Sequence, residues 1–158
     1  MKALFAGTFD PPTLGHLDII ERSVKVFSHL YVGIAVNSEK RKQFFSLTEK
    51  KKWLKKICDH HPQVEIVDFE GLVVDFAKKL KVDCLIRGLR NSSELDYENQ
   101  MAATNRKMTG IETFLLLADG KHMHISSTLI REIAQEGKRL HGFVPEEIEE
   151  QVFKKFQK

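Results

Sequence analysis

The segment from Gly7 to His16, with the sequence GTFDPPTLGH, constrains the fold of this chain most. It joins a short apolar run, from Ala3 to Ala6, to an amphipathic run that begins at Thr13. An apolar run of this length predicts a strand buried on both faces, and a threonine before an amphipathic pattern predicts the N-terminal cap of a helix. The segment therefore predicts a strand, a tight turn and a helix with His16 in its first turn.

The start of this helix has the properties of a phosphate site. A first helical turn presents unpaired N–H groups and the positive end of the helix dipole, and His16 adds an imidazole there. We expect Gly7 to leave room for a ligand to approach the backbone. An ordinary turn with a capping histidine is the alternative, because proline and aspartate form turns without any ligand. Thr13 and His16 at TxGH spacing, directly after a first strand, favour the phosphate site.

Strand and helix patterns alternate along the rest of the chain. Further apolar runs predict strands at 30–36, 64–67, 84–86 and 113–118, and helical patterns begin near residues 46, 72, 91, 126 and 145. In the helix at 91–108, we expect Leu95, Met101, Ala102 and Asn105 to face inward. This alternation predicts a Rossmann-like α/β fold: a doubly wound, parallel, five-stranded sheet of order 3-2-1-4-5, with helices on both faces. The 158 residues, 42% of them hydrophobic, are expected to form one domain, 1–158.

The predicted topology brings two polar segments to one place. In such folds, ligands bind beyond the carboxyl ends of the strands where the strand order reverses, here between strands 1 and 4. Strand 1 leads into GTFDPPTLGH, and strand 4 is followed by Arg87-Gly88-Leu89-Arg90. Guanidinium groups bind phosphate oxygens in bidentate geometry. We therefore expect these two segments to face one crevice that binds phosphate.

Several classes of protein are disfavoured by what the sequence contains. GxGxxG and GxxxxGK[ST] are both absent, which argues against dinucleotide dehydrogenases and P-loop hydrolases. Cys58 and Cys84 lie in apolar contexts and form no CxxC pair, so we expect reduced core residues. The chain has no signal-peptide pattern and no run long enough to span a bilayer, which predicts a cytoplasmic protein without a membrane partner.

The remaining histidine and lysine clusters are less specific than these motifs. The pairs His60-His61 and His122/His124 lack nearby cysteines and a clear acidic partner, so no transition-metal site is expected. The lysines at 50–52 and 55–56 fit the solvated face of a helix, with contact to nucleic acid as the alternative. The net charge of +3 does not decide between these two.

The motif GTFDPPTLGH resembles the signature of the nucleotidylyltransferase superfamily. Together with IRGLR at 86–90, YENQMA at 97–102 and ISST at 125–128, it resembles bacterial phosphopantetheine adenylyltransferases over nearly the whole chain. The resemblance implies that an adenylyl group passes from ATP to 4'-phosphopantetheine by direct in-line attack, giving dephospho-coenzyme A and pyrophosphate. It further implies Mg2+ as cofactor, feedback inhibition by coenzyme A, a homohexamer, and no nucleic-acid partner.

The same resemblance implies roles for individual residues. As catalytic residues it implies Thr8, His16, Lys40 and Arg90. As the ATP site it implies Thr8, Phe9, His16, Gly88, Leu89, Arg90, Glu98, His122, Met123, His124, Ile125, Ser126, Ser127 and Thr128. For the acceptor it implies Thr8, Lys40, Val73 and Arg87, and it implies no protein ligand to the metal. The loop before Phe45 is one residue longer than in the family, so the phosphate-binding residue could be Lys40, Arg41 or Lys42.

Two alternatives stay open from the sequence. One is another small nucleotidylyltransferase, of the nicotinate mononucleotide or glycerol-phosphate type, which would share only the first motif. The other is a non-catalytic nucleotide- or RNA-binding domain, which the lysine clusters would suit.

Overall fold

A five-stranded parallel sheet in the order β3-β2-β1-β4-β5 forms the centre of the structure, a computed structural model that describes residues 1–36 and 43–157. The strands are β1 (Lys2–Gly7), β2 (His29–Ala35), β3 (Val64–Phe69), β4 (Cys84–Leu89) and β5 (Glu112–Leu117). The helices are α1 (Leu14–Ser23), α2 (Leu47–Ile57), α3 (Val73–Leu80), α4 (Ser92–Thr109), α5 (Ser127–Gln135) and α6 (Glu146–Lys154), with a 3-10 turn at Gly120–His122. The predicted fold class and strand order are confirmed.

Helices cover both faces of the sheet. Alternate residues of the central strand β1 therefore pack into two separate cores, one on each face. Ala3 and Phe5 pack in the larger core, to which α1, α2, α5 and α6 contribute residues such as Ile20, Trp53, Ile130 and Ile148. Leu4 and Ala6 pack in the smaller core with Val74 and Ala77 of α3. The period of two along β1 thus produces the two-sided burial that a parallel sheet requires.

Two expectations from the sequence are wrong. Strand β4 does not end at Ile86, because its pairing with β5 continues from Arg87 opposite Leu115 to Leu89 opposite Leu117. Arg87 therefore belongs to the strand and not to the loop after it. In α4, Leu95 and Met101 were expected to face inward but are each 37% exposed, whereas Asn105 is buried as expected and so is Glu98. The inward face of α4 is polar because it borders a cleft, which the apolar pattern could not indicate.

The free cysteines and the ends of the helices follow the sequence analysis. Cys58 and Cys84 are both buried and unbridged. Helix α2 begins with a capping box near the predicted start, with Ser46 accepting from the Glu49 N–H at 3.2 Å and Glu49 accepting from the Ser46 N–H at 2.7 Å. Within the described ranges, no helix combines the length and the apolar character that crossing a bilayer requires.

Candidate active site

A cleft of about 770 Å³ opens at the carboxyl ends of β1 and β4, where the strand order reverses. Both predicted segments line it. The cleft-lining residues among those implied by the sequence are Thr8, His16, Val73, Arg87, Gly88, Arg90, Glu98, His122, Ile125, Ser126, Ser127 and Thr128. The crossover topology brings these residues into one cleft, because it places the start of α1 beside the end of β4.

The first turn of α1 holds the His16 ring in one orientation. The Thr13 hydroxyl accepts the His16 backbone N–H at 3.2 Å, and Nδ1 of His16 accepts the Thr13 backbone N–H at 3.1 Å. This is a capping box in which histidine takes the place usually held by glutamate. Because Nδ1 accepts a backbone N–H, the proton of the neutral ring resides on Nε2. His16 is therefore a hydrogen-bond donor through Nε2.

The surroundings of His16 keep its imidazole neutral. Burial, and then the positive charges of Arg90 and Arg87, lower the pKa of His16 from 6.5 to about 4. The ring also packs against Phe9, with the ring centroids 4.9 Å apart. A neutral imidazole near Arg90 and Arg87 adds a donor without adding repulsion between like charges.

Carboxylates hold the arginines of the cleft in place. Arg87 donates from Nε and Nη2 to the two oxygens of Glu98, at 3.0 and 2.7 Å, and from Nη1 to the Ala6 carbonyl at 3.1 Å. Arg90 pairs with Glu94, whose carboxylate also accepts the Arg90 backbone N–H at 3.1 Å. Glu98, which the resemblance places at the nucleotide, has both oxygens on Arg87. These pairs fix the guanidinium planes before any ligand arrives.

The start of α5 forms another wall of the cleft. Ser126 caps this helix by accepting the Leu129 N–H at 3.1 Å, and the Ser127 hydroxyl donates to the Pro11 carbonyl at 2.8 Å. The second contact joins α5 to the turn that precedes α1. Two helix N-termini, each suited to a phosphate, therefore border the same cleft.

Some residues implied by the resemblance do not line the cleft. The Phe9 side chain is fully buried and packs edge to face on Phe5. Leu89 is buried at the end of β4, and Met123 and His124 are exposed. Lys40, with its alternatives Arg41 and Lys42, lies outside the described residues.

The glycines of the two segments serve packing. A Cβ at Gly7 would lie 3.3 Å from the Phe9 ring, so Gly7 makes room for that ring, and Gly7 also lines the cleft. A Cβ at Gly88 would lie 3.2 Å from the Ile19 side chain. Gly88 thus lets α1 approach β4 closely.

Sequence reasoning missed Lys50, which is fully buried although it belongs to a run of lysines. Its ammonium group donates to the Thr8 carbonyl at 3.1 Å and to Oε1 of Gln43 at 2.8 Å. Burial lowers the pKa of Lys50, and the nearby Asp10 carboxylate opposes that effect. Lys50 thus positions the backbone of Thr8. The only signal in the sequence is its place in α2, one residue after the capping box.

Asp10 and Arg131 also support the turn after β1. The sequence did not indicate this role for either residue. The two oxygens of Asp10 accept the backbone N–H groups of Phe44 and Phe45, each at 3.0 Å. Arg131 of α5 donates to the Asp10 carbonyl and lies 4.7 Å from the centroid of the Phe44 ring. The turn after β1 is therefore joined to α2, to α5 and to the chain at Phe44.

The parallel sheet and the cleft at its switch point, which suits phosphate groups, define a nucleotidyltransferase-like protein. Comparison with known families agrees. Residues 4–133 match the family described as Cytidylyltransferase-like. A solved structure titled as a putative nicotinate-nucleotide adenylyltransferase from Vibrio parahaemolyticus superposes with a TM-score of 0.75, covering 99% of this chain and 96% of that one. At 16% identity, this likeness concerns the fold alone.

Curated relatives narrow the class. A phosphopantetheine adenylyltransferase from Flavobacterium psychrophilum is 42% identical, over 93% of this chain and 97% of the relative. Another from Finegoldia magna is 44% identical, over 98% of this chain and 96% of the relative. The chain belongs to the phosphopantetheine adenylyltransferase family.

Replacing Lys50 tests its role beneath Thr8. We expect Lys50→Met to lower the free energy of unfolding by about 1–3 kcal/mol, because the Thr8 carbonyl and Gln43 lose their buried donor. Lys52→Met, on the exposed side of the same helix, should change it by less than about 0.5 kcal/mol. Urea unfolding of both variants gives the comparison, and equal stabilities would contradict a specific role for Lys50.

The protonation of His16 can be followed by NMR. In a pH titration of the imidazole resonances, we expect His16 to remain neutral down to about pH 4, the pKa that its surroundings give it. Arg90→Gln should raise this pKa, because it removes a neighbouring positive charge. A midpoint for His16 near 6.5 in the unchanged protein would contradict the neutral ring.

Proposed function

We propose that this protein transfers the adenylyl group of ATP to 4'-phosphopantetheine, releasing pyrophosphate and forming dephospho-coenzyme A. This is the penultimate step of coenzyme A synthesis. The relatives described above carry that activity in their names. The observation that carries the proposal is the convergence of a neutral Nε2–H donor, two paired arginines and two helix N-termini on one cleft.

The proposed chemistry is a direct in-line displacement. A phosphate oxygen of phosphopantetheine attacks the α-phosphorus of ATP, the bond from that phosphorus to the bridging oxygen breaks, and pyrophosphate leaves. The acceptor phosphate is already a nucleophile near neutral pH, so the protein needs no general base and no covalent intermediate. Its contribution is to hold two anions together and to stabilise charge on the α-phosphoryl oxygens.

Each implied residue has a task in this reaction. Nε2 of His16, the exposed Thr8 and the Arg90 guanidinium would donate to phosphate oxygens at the reacting centre, as would a lysine in the loop of Lys40. The hydroxyl and N–H groups of Ser126, Ser127 and Thr128 would bind the triphosphate. In this arrangement the Glu98 carboxylate acts through Arg87, because both of its oxygens are already occupied.

The remaining walls fit the two organic parts of the substrates. Nδ1 of His122 is buried and has no hydrogen-bond partner within the described ranges, so it suits a polar atom of adenine. Leu72 and Val73 at the start of α3 add apolar surface to the cleft that Arg87 also lines. That surface suits the pantetheine arm, with the acceptor phosphate toward Arg87.

Magnesium enters the proposal as part of the substrate MgATP. Three carboxylates line the cleft in the described part of the chain, and all three have internal partners: Asp10 holds Phe44 and Phe45, Glu94 holds Arg90, and Glu98 holds Arg87. An ion with phosphate and water ligands fits such a site, since Mg2+ commonly keeps several waters. Bound with ATP, the ion would neutralise charge on the departing pyrophosphate.

We further propose a cytoplasmic homohexamer that coenzyme A inhibits. Both cysteines are free, as in a reducing compartment. Apolar side chains are exposed on α4 (Leu95 and Met108) and on the edge strand β5 (Phe114 and Leu117), as at surfaces that associate. Coenzyme A contains the phosphopantetheine arm, so it would compete for the acceptor end of the cleft.

Pyrophosphate release tests the proposed reaction. We expect release on mixing the protein with MgATP and 4'-phosphopantetheine, and none with nicotinate mononucleotide or with CTP in place of ATP. His16→Ala should lower kcat by about a hundred- to a thousandfold, because it removes a transition-state donor. His141→Ala, an exposed histidine away from the cleft, should leave kcat unchanged.

Thermal unfolding of the His16→Ala variant separates lost chemistry from lost folding, since the substitution also removes half of a capping box. Turnover near that of the unchanged protein in a folded His16→Ala variant would refute the role of His16. Release with a different acceptor, and none with phosphopantetheine, would refute the substrate.

Light scattering after size-exclusion chromatography tests the assembly. We expect a mass of six times the 18.2 kDa of one chain. Phe114→Glu should give smaller species, because a charge on the edge strand would have to be buried without a partner. A single-chain mass for the unchanged protein at micromolar concentration would contradict the hexamer.

A further inference from the structure

Away from the cleft, Glu21, His60 and His61 come together. Each offers one ligand atom, a carboxylate oxygen or an imidazole nitrogen, and these atoms lie within 4.8 Å of one another. Glu21 lies in α1, and the two histidines follow α2. Both helices run back from the carboxyl edge of the sheet to its amino edge, so the topology places these segments together at the end opposite the cleft.

The sequence predicted no metal here, because the histidines lack nearby cysteines and a clear acidic partner. The fold supplies that partner from α1, at a distance along the chain that spacing rules do not cover. Two imidazoles and one carboxylate are a known protein ligand set for zinc, which leaves a fourth position for water. Imidazole ligands favour Zn2+, Ni2+ and Cu2+ over Mg2+ and Ca2+.

Two further observations at the cluster point to a ligand. Nε2 of His61 is buried and has no hydrogen-bond partner among the described residues, which is costly for a polar atom unless something binds it. Nδ1 of His60 lies 3.4 Å from the Asp59 carboxylate. A carboxylate on one imidazole nitrogen is the usual support of a histidine that ligates a metal through the other.

The His60 and His61 rings are also held next to each other, with centroids 4.0 Å apart and planes inclined by 42°. Two protonated rings at that separation would repel, whereas two neutral rings can share one cation. We propose that Glu21, His60 and His61 form a binding site for one transition-metal ion of the zinc type. A bound ion joins the end of α1 to the turn before β3 and so stabilises the folded chain.

Calorimetric titration with zinc chloride tests the site in the full chain. Excess magnesium chloride is present and nucleotide is left out, so that oxygen-only sites are occupied by magnesium. We expect one zinc ion per chain, and a rise in the temperature of thermal unfolding when zinc is added. His61→Ala and Glu21→Gln should each weaken binding by about tenfold or more, because each removes a ligand.

His141→Ala is the matched control, since His141 is an exposed histidine outside the cluster and this variant should bind zinc like the unchanged protein. The double variant His60→Ala/His61→Ala should bind no zinc and should show no thermal shift on its addition. Unchanged affinity in the double variant would place the ion elsewhere and overturn the proposal, as would the absence of binding by the unchanged protein. Neither result depends on adenylyl transfer, so the proposed reaction stands or falls separately.

Discussion

Two reciprocal hydrogen bonds between Thr13 and His16 are the constraint on which the cleft depends. They satisfy backbone N–H groups at the start of α1, as any helix start requires. Because one of the acceptors is an imidazole nitrogen, the same two bonds also fix which nitrogen carries the proton. The capping of the α1 N-terminus thus leaves the neutral His16 ring with its proton on Nε2, as a hydrogen-bond donor near Arg90.

The other charged groups of the cleft follow the same principle. Among the described residues, the Glu98 carboxylate holds Arg87 and the Glu94 carboxylate holds Arg90, whereas Arg131 donates to the Asp10 backbone carbonyl. Beneath them, Lys50 anchors the Thr8 carbonyl. A site that joins two anions gains most from donors whose orientation is set in advance, since no reorganisation is then needed during the reaction. The carboxylates of Glu98 and Glu94 also offset the positive charges of Arg87 and Arg90.

The sequence was sufficient for the fold and for the place of the cleft. Short apolar runs that alternate with helical patterns dictate a parallel sheet, and GTFDPPTLGH and IRGLR then meet at its switch point by topology alone. It was insufficient where contacts are long-range. The pairing of Glu98 with Arg87, the burial of Lys50 and the approach of Glu21 to His60 and His61 all depend on which surfaces pack together. The amphipathic pattern of α4 misled for a related reason, because a helix that borders a cleft can turn polar residues inward.

The protonation pattern of the His16 ring is the central claim, and long-range correlation of proton and nitrogen resonances in 15N-labelled protein measures it most directly. At neutral pH, we expect a protonated Nε2 and an unprotonated Nδ1, the pattern that the Thr13 N–H imposes. A proton on Nδ1, whether in the other neutral tautomer or in the charged ring, would contradict the claim that the helix cap prepares His16 as a donor into the cleft.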